Sequence, residues 1–166
     1  MYMKNCKAKM LCKMVDFYKG SKGDIDHFIK VYAYAESLGR LEELDERTQN
    51  ILEIAAIVHD IACPLCREKY GSTAGHYQEL ESENLLREFL SEFALPNDIL
   101  ERVIYLVCRH HTYEGLDGMD WQLLLEADFL VNAGEMKLSR ENIESFREKV
   151  FKSDSGKQLL NSIYLR

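Results

Sequence analysis

Apolar residues recur at the spacing of an α-helix along most of this 166-residue chain, and few segments alternate apolar and polar residues as strands do. The chain has only two prolines and nine glycines, so residues that interrupt helices are scarce. A chain of this length can bury one substantial core. The pattern therefore predicts an all-α fold, a single-domain bundle of about seven helices over residues 1–166.

Capping and stop residues set the predicted helix boundaries. Asp24 is expected to cap a helix of about 25–38 that ends at Gly39, and Asp45 to cap a central, mostly apolar helix of about 46–62. Further helices are predicted over three ranges: about 77–93, 97–111 and 121–132. Loops with two glycines each are predicted between them: 64–76 and 112–120. One or two closing helices over 139–166 are predicted from two capping residues: Ser139 and Asp154.

The composition argues against large anionic partners and against membrane insertion. The formal net charge is −7, which disfavours binding of extended nucleic acid or of an anionic membrane surface. No apolar stretch approaches the roughly 18 residues that a membrane-spanning helix needs. The basic N-terminus is interrupted by lysines and lacks a small-residue cleavage site, so it is a poor signal peptide. A cytoplasmic location is therefore expected, whereas the oligomeric state stays open.

Two carboxylates lie in apolar segments, where an unpaired charge is costly. Asp60 follows His59 at the end of the apolar run 55–58, and Asp128 lies within the segment LLLEADFLV. A divalent metal or a buried arginine would satisfy such a carboxylate. His27 has apolar neighbours on its own predicted helix and would supply a further ligand from an adjacent helix. A single histidine is more often an ordinary core or surface residue, so it is the combination that favours a metal site.

The ordered set of His27, then His59 with Asp60, then Asp128, all on predicted helices, resembles the HD-domain superfamily of metal-dependent phosphohydrolases. Three segments carry the resemblance: DHFIKVYAYAESLG (26–39), ILEIAAIVHDI (51–61) and LLEADFLVN (124–132). The resemblance covers about residues 20–135. It implies that these four residues ligate one divalent ion, which would be Mn, Fe, Ni, Co, Zn or Mg. Histidine and aspartate suit several of these metals, so the sequence leaves the metal's identity open.

Some members of this family hold a second metal, and the resemblance extends to part of that ligand set. The pair His110-His111 matches one of the additional positions. The other additional histidine would lie four residues before Ser82, where this chain has Gln78. His76 is two residues away and is the candidate for that role. The sequence departs from the binuclear pattern at this point.

The implied activity is metal-assisted hydrolysis of a nucleotide or another small phosphate mono- or diester. Asp60 or Asp128 would take a proton from water, and His110 or His111, if not bound to a second metal, would contact the phosphate or protonate the leaving group. The basic residues nearest to these motifs are candidates for binding the substrate phosphate: Arg67, Lys69 and Arg109. Three tyrosines are further candidates to line a pocket: Tyr32, Tyr34 and Tyr113.

Two other functions stay open. Some HD-fold proteins are di-iron oxygenases, which would need six ligands with the aspartate of the doublet bridging two metals. The domain would alternatively be a non-catalytic ligand sensor or interaction module that uses a degenerate metal site, although such a role need not keep all four ligands.

Cys63-Pro64-Leu65-Cys66 raises the question of a separate zinc or redox site. A structural zinc site needs four ligands, and the sequence holds no second CxxC, so His76 or Cys108 would have to assist. A thioredoxin-type site would need a βαβ setting, which a helical chain lacks. The expectation is therefore that Cys63 and Cys66 pack at a helix end.

Overall fold

The computed structural model describes the backbone of residues 2–166 and the side chains from residue 5 onward. Over that span the chain forms nine α-helices, one short 3-10 turn and no strand. The helices are α1 (Tyr2–Phe17), α2 (Lys22–Leu41), α3 (Glu46–Val58), α4 (Cys63–Tyr70), α5 (Gly75–Leu90), α6 (Asn97–Val107), α7 (Met119–Glu135), α8 (Arg140–Val150) and α9 (Asp154–Tyr164). The all-α prediction is confirmed, and the helices outnumber the predicted seven because α1 and α4 fall outside the predicted set.

The predicted loop over 64–76 is wrong for its first half, which is α4. Pro64 lies in the first turn of α4, where its missing N–H leaves no helical hydrogen bond unmade. Gly71 ends the helix with a left-handed φ of 65°, a conformation that glycine adopts without steric cost. Gly71, which the sequence pattern predicts as a loop residue, therefore ends a helix.

Half of the predicted caps are confirmed. The Asp45 side chain accepts hydrogen bonds from the backbone N–H groups of Arg47 and Thr48, which fixes the start of α3. The Ser139 side chain accepts from the N–H of Asn142 at the start of α8. Both residues satisfy donors that a helix N-terminus leaves unpaired.

The other predicted boundaries need correction. Ser21 precedes α2 and Ser153 precedes α9, so Asp24 and Asp154 lie within the first turns of these helices. Gly39 does not stop α2, because the helix continues to Leu41. It is buried where α2 crosses α3, and a Cβ at this position would overlap the Gln49 side chain. A glycine is therefore needed at this position for close packing of the two helices, and not to end α2.

Two helices form the centre of the bundle. Every residue over 51–58 in α3 is buried, and so is every residue over 120–131 in α7. Helix α2 packs against both of them, and α6 packs against α3. The hydrophobic core extends from Cys6 in α1 to Leu160 in α9. This packing brings the first half of α2, the C-terminal end of α3 and the middle of α7 to one place.

Helix α1 is held to the centre by a buried ion pair. Lys7 Nζ donates to the carboxylate of Glu53 in α3 and, at 2.9 Å, to Asn50 Oδ1. Glu53 also accepts from Gln49 Nε2 at 2.8 Å.

The described part of the chain contains no helix with the length and hydropathy that crossing a membrane requires.

Candidate metal centre

Four acidic and imidazole side chains from three parts of the bundle converge at one point. His27 lies in the first half of α2, and Asp128 lies in the middle of α7. His59 and Asp60 follow the last residue of α3 and lie in the turn after it. All four are mostly buried, so their polar atoms face one another rather than bulk water.

The distances within this cluster match a shared ion. His27 Nε2 lies 3.2 Å from His59 Nε2, 3.2 Å from Asp128 Oδ1 and 3.5 Å from Asp60 Oδ2. His59 Nε2 lies 3.5 Å from each of the same two carboxylate oxygens. Ligand atoms bound at about 2.0–2.2 Å from one ion stand roughly 3.0–3.5 Å from their neighbours. The structure thus brings together the four ligands that the family resemblance implies.

Each of the two imidazole rings makes a hydrogen bond on the side turned away from the cluster. This bond determines which ring nitrogen carries the proton. His27 Nδ1 lies 2.9 Å from Glu135 Oε2, and His59 Nδ1 lies 2.9 Å from the carbonyl oxygen of Ala56. Both partners are acceptors, so each Nδ1 carries the proton and donates it. The lone pair of the neutral ring is then on Nε2, the atom turned toward the cluster. This is the tautomer that a metal ligand needs.

The two aspartates are ionised in this environment. Burial raises the pKa of Asp60, but the charges of His59 and its neighbouring imidazoles outweigh burial and hold the pKa well below its usual range. Burial also raises the pKa of Asp128, but hydrogen bonds from His27 and His59 lower it further than burial raises it. For His27, burial lowers the pKa, whereas the hydrogen bond to Asp128 and the nearby carboxylate charges raise it to about 9. The two ionised carboxylates therefore need positive charge close to them, either from protons on the imidazoles or from a bound cation.

A second group of potential ligands adjoins the first. Asp60, His110 and His111 each offer a ligand atom within 4.8 Å of the others. His110 Nδ1 donates to the Val107 carbonyl at 2.7 Å, while its Nε2 lies 3.5 Å from Asp60 Oδ1, too far for a good hydrogen bond. The Nε2 atoms of both histidines are buried and have no hydrogen-bond partner among the described residues. Buried nitrogens normally have a partner, so this donor set fits a metal.

The ring of His111 is held in place by the start of α5. A Cβ at Gly75 would lie 2.5 Å from His111 Cγ, so only glycine allows the ring to pack there. Burial and the neighbouring charge of His110 lower the pKa of His111 to about 4. His111 is therefore a neutral imidazole at neutral pH, the form that coordinates metals.

The structure does not place His76 with these groups. His76 is exposed in the first turn of α5, its ring stands against Tyr77 with centroids 3.9 Å apart, and it belongs to neither group of potential ligands among the described residues. Gln78 is buried and lines the cleft instead. Positions two apart on a helix point about 200° apart, so the helix cannot turn both side chains toward the cleft. The expectation that His76 joins a second metal site is therefore corrected.

A cleft of about 670 Å³ opens beside the cluster, and only one of the three predicted phosphate-binding residues reaches it. Arg67 lines the cleft and forms an ion pair with Asp24. Lys69 pairs with Glu81 at 2.6 Å, outside the cleft lining. Arg109 is exposed and lies over a tyrosine ring, also outside the lining. The roles predicted for Lys69 and Arg109 rested on nearness in sequence, and the helices carry both side chains elsewhere.

Glu135 is a site residue that the sequence analysis missed. Its Oε2 accepts from His27 Nδ1, and its Oε1 accepts from Lys30 Nζ at 2.9 Å. Glu135 is the last residue of α7 and stands seven positions after Asp128, a spacing that returns to the same helix face. That spacing was the available signal. Glu135 orients the His27 ring from behind, as carboxylates often do for metal-ligating histidines.

Replacing Glu135 with alanine is expected to weaken divalent metal binding by about 10- to 100-fold, because His27 loses the acceptor that fixes its tautomer and ring orientation. Calorimetric titration of the metal-free protein with Mn²⁺ measures the effect. Glu141→Ala, which removes an exposed carboxylate from the first turn of α8, is the matched control and should bind as the wild type does. Equal affinities for the two variants would contradict the orienting role.

Cys63 and Cys66 are buried, and neither belongs to a group of potential metal ligands among the described residues. Burial raises the pKa of both thiols, and the charge of Asp60 adds to this effect at Cys63. Raised thiol pKa values disfavour the thiolate that binds zinc or attacks disulfides.

Replacing both cysteines with alanine is expected to leave metal content unchanged, because the His and Asp cluster holds the ion without them. Elemental analysis of purified protein measures this, with His59→Ala as the control that should lose metal. Loss of one equivalent of zinc from the cysteine variant would show that the thiols form a site of their own.

A family model described as HD domain matches residues 24–147, a span that covers most of the chain and contains every residue of the cluster. The chain belongs to the HD domain family. The fold is similar to the crystal structure of SeMet-YpgQ from Bacillus subtilis, with a TM-score of 0.69 over 99% of this chain and 89% of that chain. The two sequences are 14% identical, so the likeness shows the fold alone. No curated protein sequence matches this chain.

Proposed function

We propose that this protein is a metal-dependent phosphohydrolase that acts on a nucleotide or another small phosphate mono- or diester. The observation that carries the proposal is the convergence of His27, His59, Asp60 and Asp128 beside an open cleft. The hydrogen bonds of the two imidazoles turn their Nε2 atoms toward the same point. Membership of the HD family adds support, since metal-dependent phosphohydrolases are typical of it.

A divalent ion at this cluster would act as a Lewis acid. It would lower the pKa of a bound water molecule, so that hydroxide is available near neutral pH. His27, His59, Asp60 and Asp128 would hold the ion. Asp60 or Asp128, which the surrounding imidazoles keep ionised, would accept the proton from the attacking water.

The remaining polar residues of the cleft would act on the phosphoryl group. Burial lowers the pKa of His110, but its interaction with Asp60 raises it above the usual value, so His110, when it does not bind a second ion, suits donation of a proton to the leaving group. His111 lines the cleft as a neutral ring and would contact a phosphate oxygen. Arg67 would bind phosphate by exchanging its contact with Asp24 for the substrate.

A second ion is the finer part of the proposal. The unpartnered Nε2 atoms of His110 and His111 support it, and these two histidines together with Asp60 would hold this ion. A di-iron oxygenase would also need six protein ligands, and the residues of the two groups number six: His27, His59, Asp60, Asp128, His110 and His111. The assay for mixed-valent iron and O₂ consumption given below therefore separates the oxygenase from the hydrolase.

The partner proposed for this site is a small phosphorylated molecule. The cleft volume of about 670 Å³ suits a ligand of that size. The net charge of −7 supports neither extended nucleic acid nor an anionic membrane as a partner, and a cytoplasmic location stays a prediction.

Turnover assays after removal of metal test the proposal. The stripped protein is supplied in turn with Mn²⁺, Mg²⁺, Co²⁺, Ni²⁺, Zn²⁺ or Fe²⁺ and assayed on p-nitrophenyl phosphate, its bis ester and a nucleotide panel. We expect hydrolysis that depends on the metal and is lost in Asp128→Ala. Stoichiometric metal without turnover on any phosphoester would favour the sensor function, and a mixed-valent iron signal with O₂ consumption would favour the oxygenase.

A further inference from the structure

One side of the cleft is built from aromatic rings and is continuous with the metal-binding cluster. We call the three rings Tyr113, Phe129 and Phe146 the aromatic wall; all three line the cleft. The rings of Phe129 and Phe146 are stacked with centroids 3.7 Å apart and planes 3° apart. Tyr113 meets Phe146 edge-on at 5.4 Å. Phe129 directly follows Asp128, so the wall begins at the cluster.

The three rings of the wall differ in exposure. Phe129 is 7% exposed and lies behind Phe146, which is half-buried, whereas Tyr113 is 48% exposed. Tyr113 lines the same cleft as Asp128. Phe146 and Tyr113 thus offer apolar surface to a molecule whose other end is at Asp128.

The charged side chains of the cleft attract the part of an anionic ligand beyond its phosphoryl group only weakly. The two basic residues that line it are already paired, Lys30 with Glu135 at 2.9 Å and Arg67 with Asp24. Five carboxylates also line it: Asp24, Asp26, Asp60, Asp128 and Glu135. The aromatic wall is therefore an apolar surface from which the organic part of a ligand can gain affinity.

We propose that the aromatic wall binds the organic group of the phosphoester and selects substrates in which that group is planar and apolar. The inference rests on the proposed function. With the phosphoryl group at the cluster, a planar ring lies against Phe146 and Tyr113, while Phe129 supports Phe146 from behind. Ring stacking and burial of apolar surface by a phenyl group, relative to a methyl group, correspond to roughly a ten-fold gain in affinity.

Non-hydrolysable analogues test the wall independently of turnover. Phenylphosphonate and methylphosphonate are titrated calorimetrically into the Mn²⁺-loaded protein, and the ratio of their dissociation constants is compared between variants. We expect the wild type to favour the phenyl compound by about ten-fold or more, and Tyr113→Ala and Phe146→Leu to favour it by about three-fold or less. Affinity for methylphosphonate should change little, because the wall does not contact the phosphonate.

Tyr105→Ala serves as the matched control, because Tyr105 is a half-buried tyrosine that contacts Trp121 outside the cleft lining. It should keep the wild-type ratio. Phe146→Leu retains apolar bulk against Phe129, and Tyr113 is half exposed, so neither change removes a fully buried side chain.

The outcomes separate this inference from the proposed function. A phenyl preference that the wall variants lose supports the inference even if no phosphoester is hydrolysed, in which case only the proposed function fails. Equal affinity for the two compounds, failure of both to bind, or a preference that survives in both variants would overturn the inference. Metal-dependent turnover with any of these results would leave the proposed function standing.

Discussion

Replacing Asp60 with alanine is expected to lower divalent metal affinity by at least about 100-fold and to abolish metal-dependent hydrolysis. Asp60 is the residue shared by both groups of potential ligands: Oδ2 faces His27 and His59, and Oδ1 faces His110. Its loss removes a charge from the place where the imidazole nitrogens converge. Calorimetric titration with Mn²⁺ and turnover of p-nitrophenyl phosphate measure the two effects.

Asp26→Ala is the control for this prediction. Asp26 also lines the cleft, but it pairs with Lys22 at 2.5 Å and belongs to neither group of potential ligands among the described residues. Added metal should raise the melting temperature of the wild type and of this control, because an ion that binds only the folded state stabilises it. It should not raise that of Asp60→Ala. Wild-type affinity and turnover in Asp60→Ala would contradict the metal site and the hydrolase function together.

Replacing Glu126 with alanine is expected to reduce the free energy of unfolding by about 3 kcal/mol or more without changing metal affinity. Glu126 is fully buried and accepts hydrogen bonds from Gln122 Nε2 at 2.6 Å and from the backbone N–H groups of Lys152 and Ser153 at 2.7 and 3.0 Å. The Ser153 hydroxyl donates to its other oxygen. Alanine leaves the buried N–H and hydroxyl of Ser153 without this acceptor at the turn between α8 and α9, and Gln122 Nε2 keeps only the Val150 carbonyl.

Urea unfolding monitored by circular dichroism measures this loss, and Mn²⁺ titration shows whether the metal site is affected. Glu148→Ala removes an exposed glutamate from α8 and should change stability by less than about 0.5 kcal/mol. Glu126→Gln keeps one acceptor oxygen and should cost less than the alanine change. A Glu126→Ala protein as stable as Glu148→Ala would show that the turn does not depend on this carboxylate.

The contrast between Glu126 and Asp128 shows that a sequence pattern does not predict which partner a buried carboxylate meets. Both carboxylates lie in the same apolar run, and their positions on α7 point about 200° apart. The sequence predicts a metal partner for Asp128 only, although an isolated buried charge is costly at either position. Which neighbour each carboxylate meets depends on the elements packed on the two sides of α7. Asp128 meets the histidines of α2 and α3, and Glu126 meets the turn before α9.

Other corrections have the same origin. His76 and Gln78 lie on opposite faces of α5, and the orientation of that helix against its neighbours turns Gln78 toward the cleft. Lys69 and Arg109 are close to the motifs in sequence but lie outside the lining. Glu135 acts through His27, which is more than one hundred residues away along the chain. Contacts across that separation leave only a weak trace in local sequence.

The sequence by itself determined the helical class and the identity of the four residues that cluster. Helical periodicity is local and follows from side-chain spacing, and buried carboxylates beside histidines are conspicuous because they are expensive without a partner. The tertiary structure alone decided which nitrogens and oxygens face the same point, which basic residues reach the cleft and that an aromatic wall adjoins the metal-binding cluster. Those features depend on how the helices pack and rotate against one another, and residue spacing along one helix does not fix that rotation.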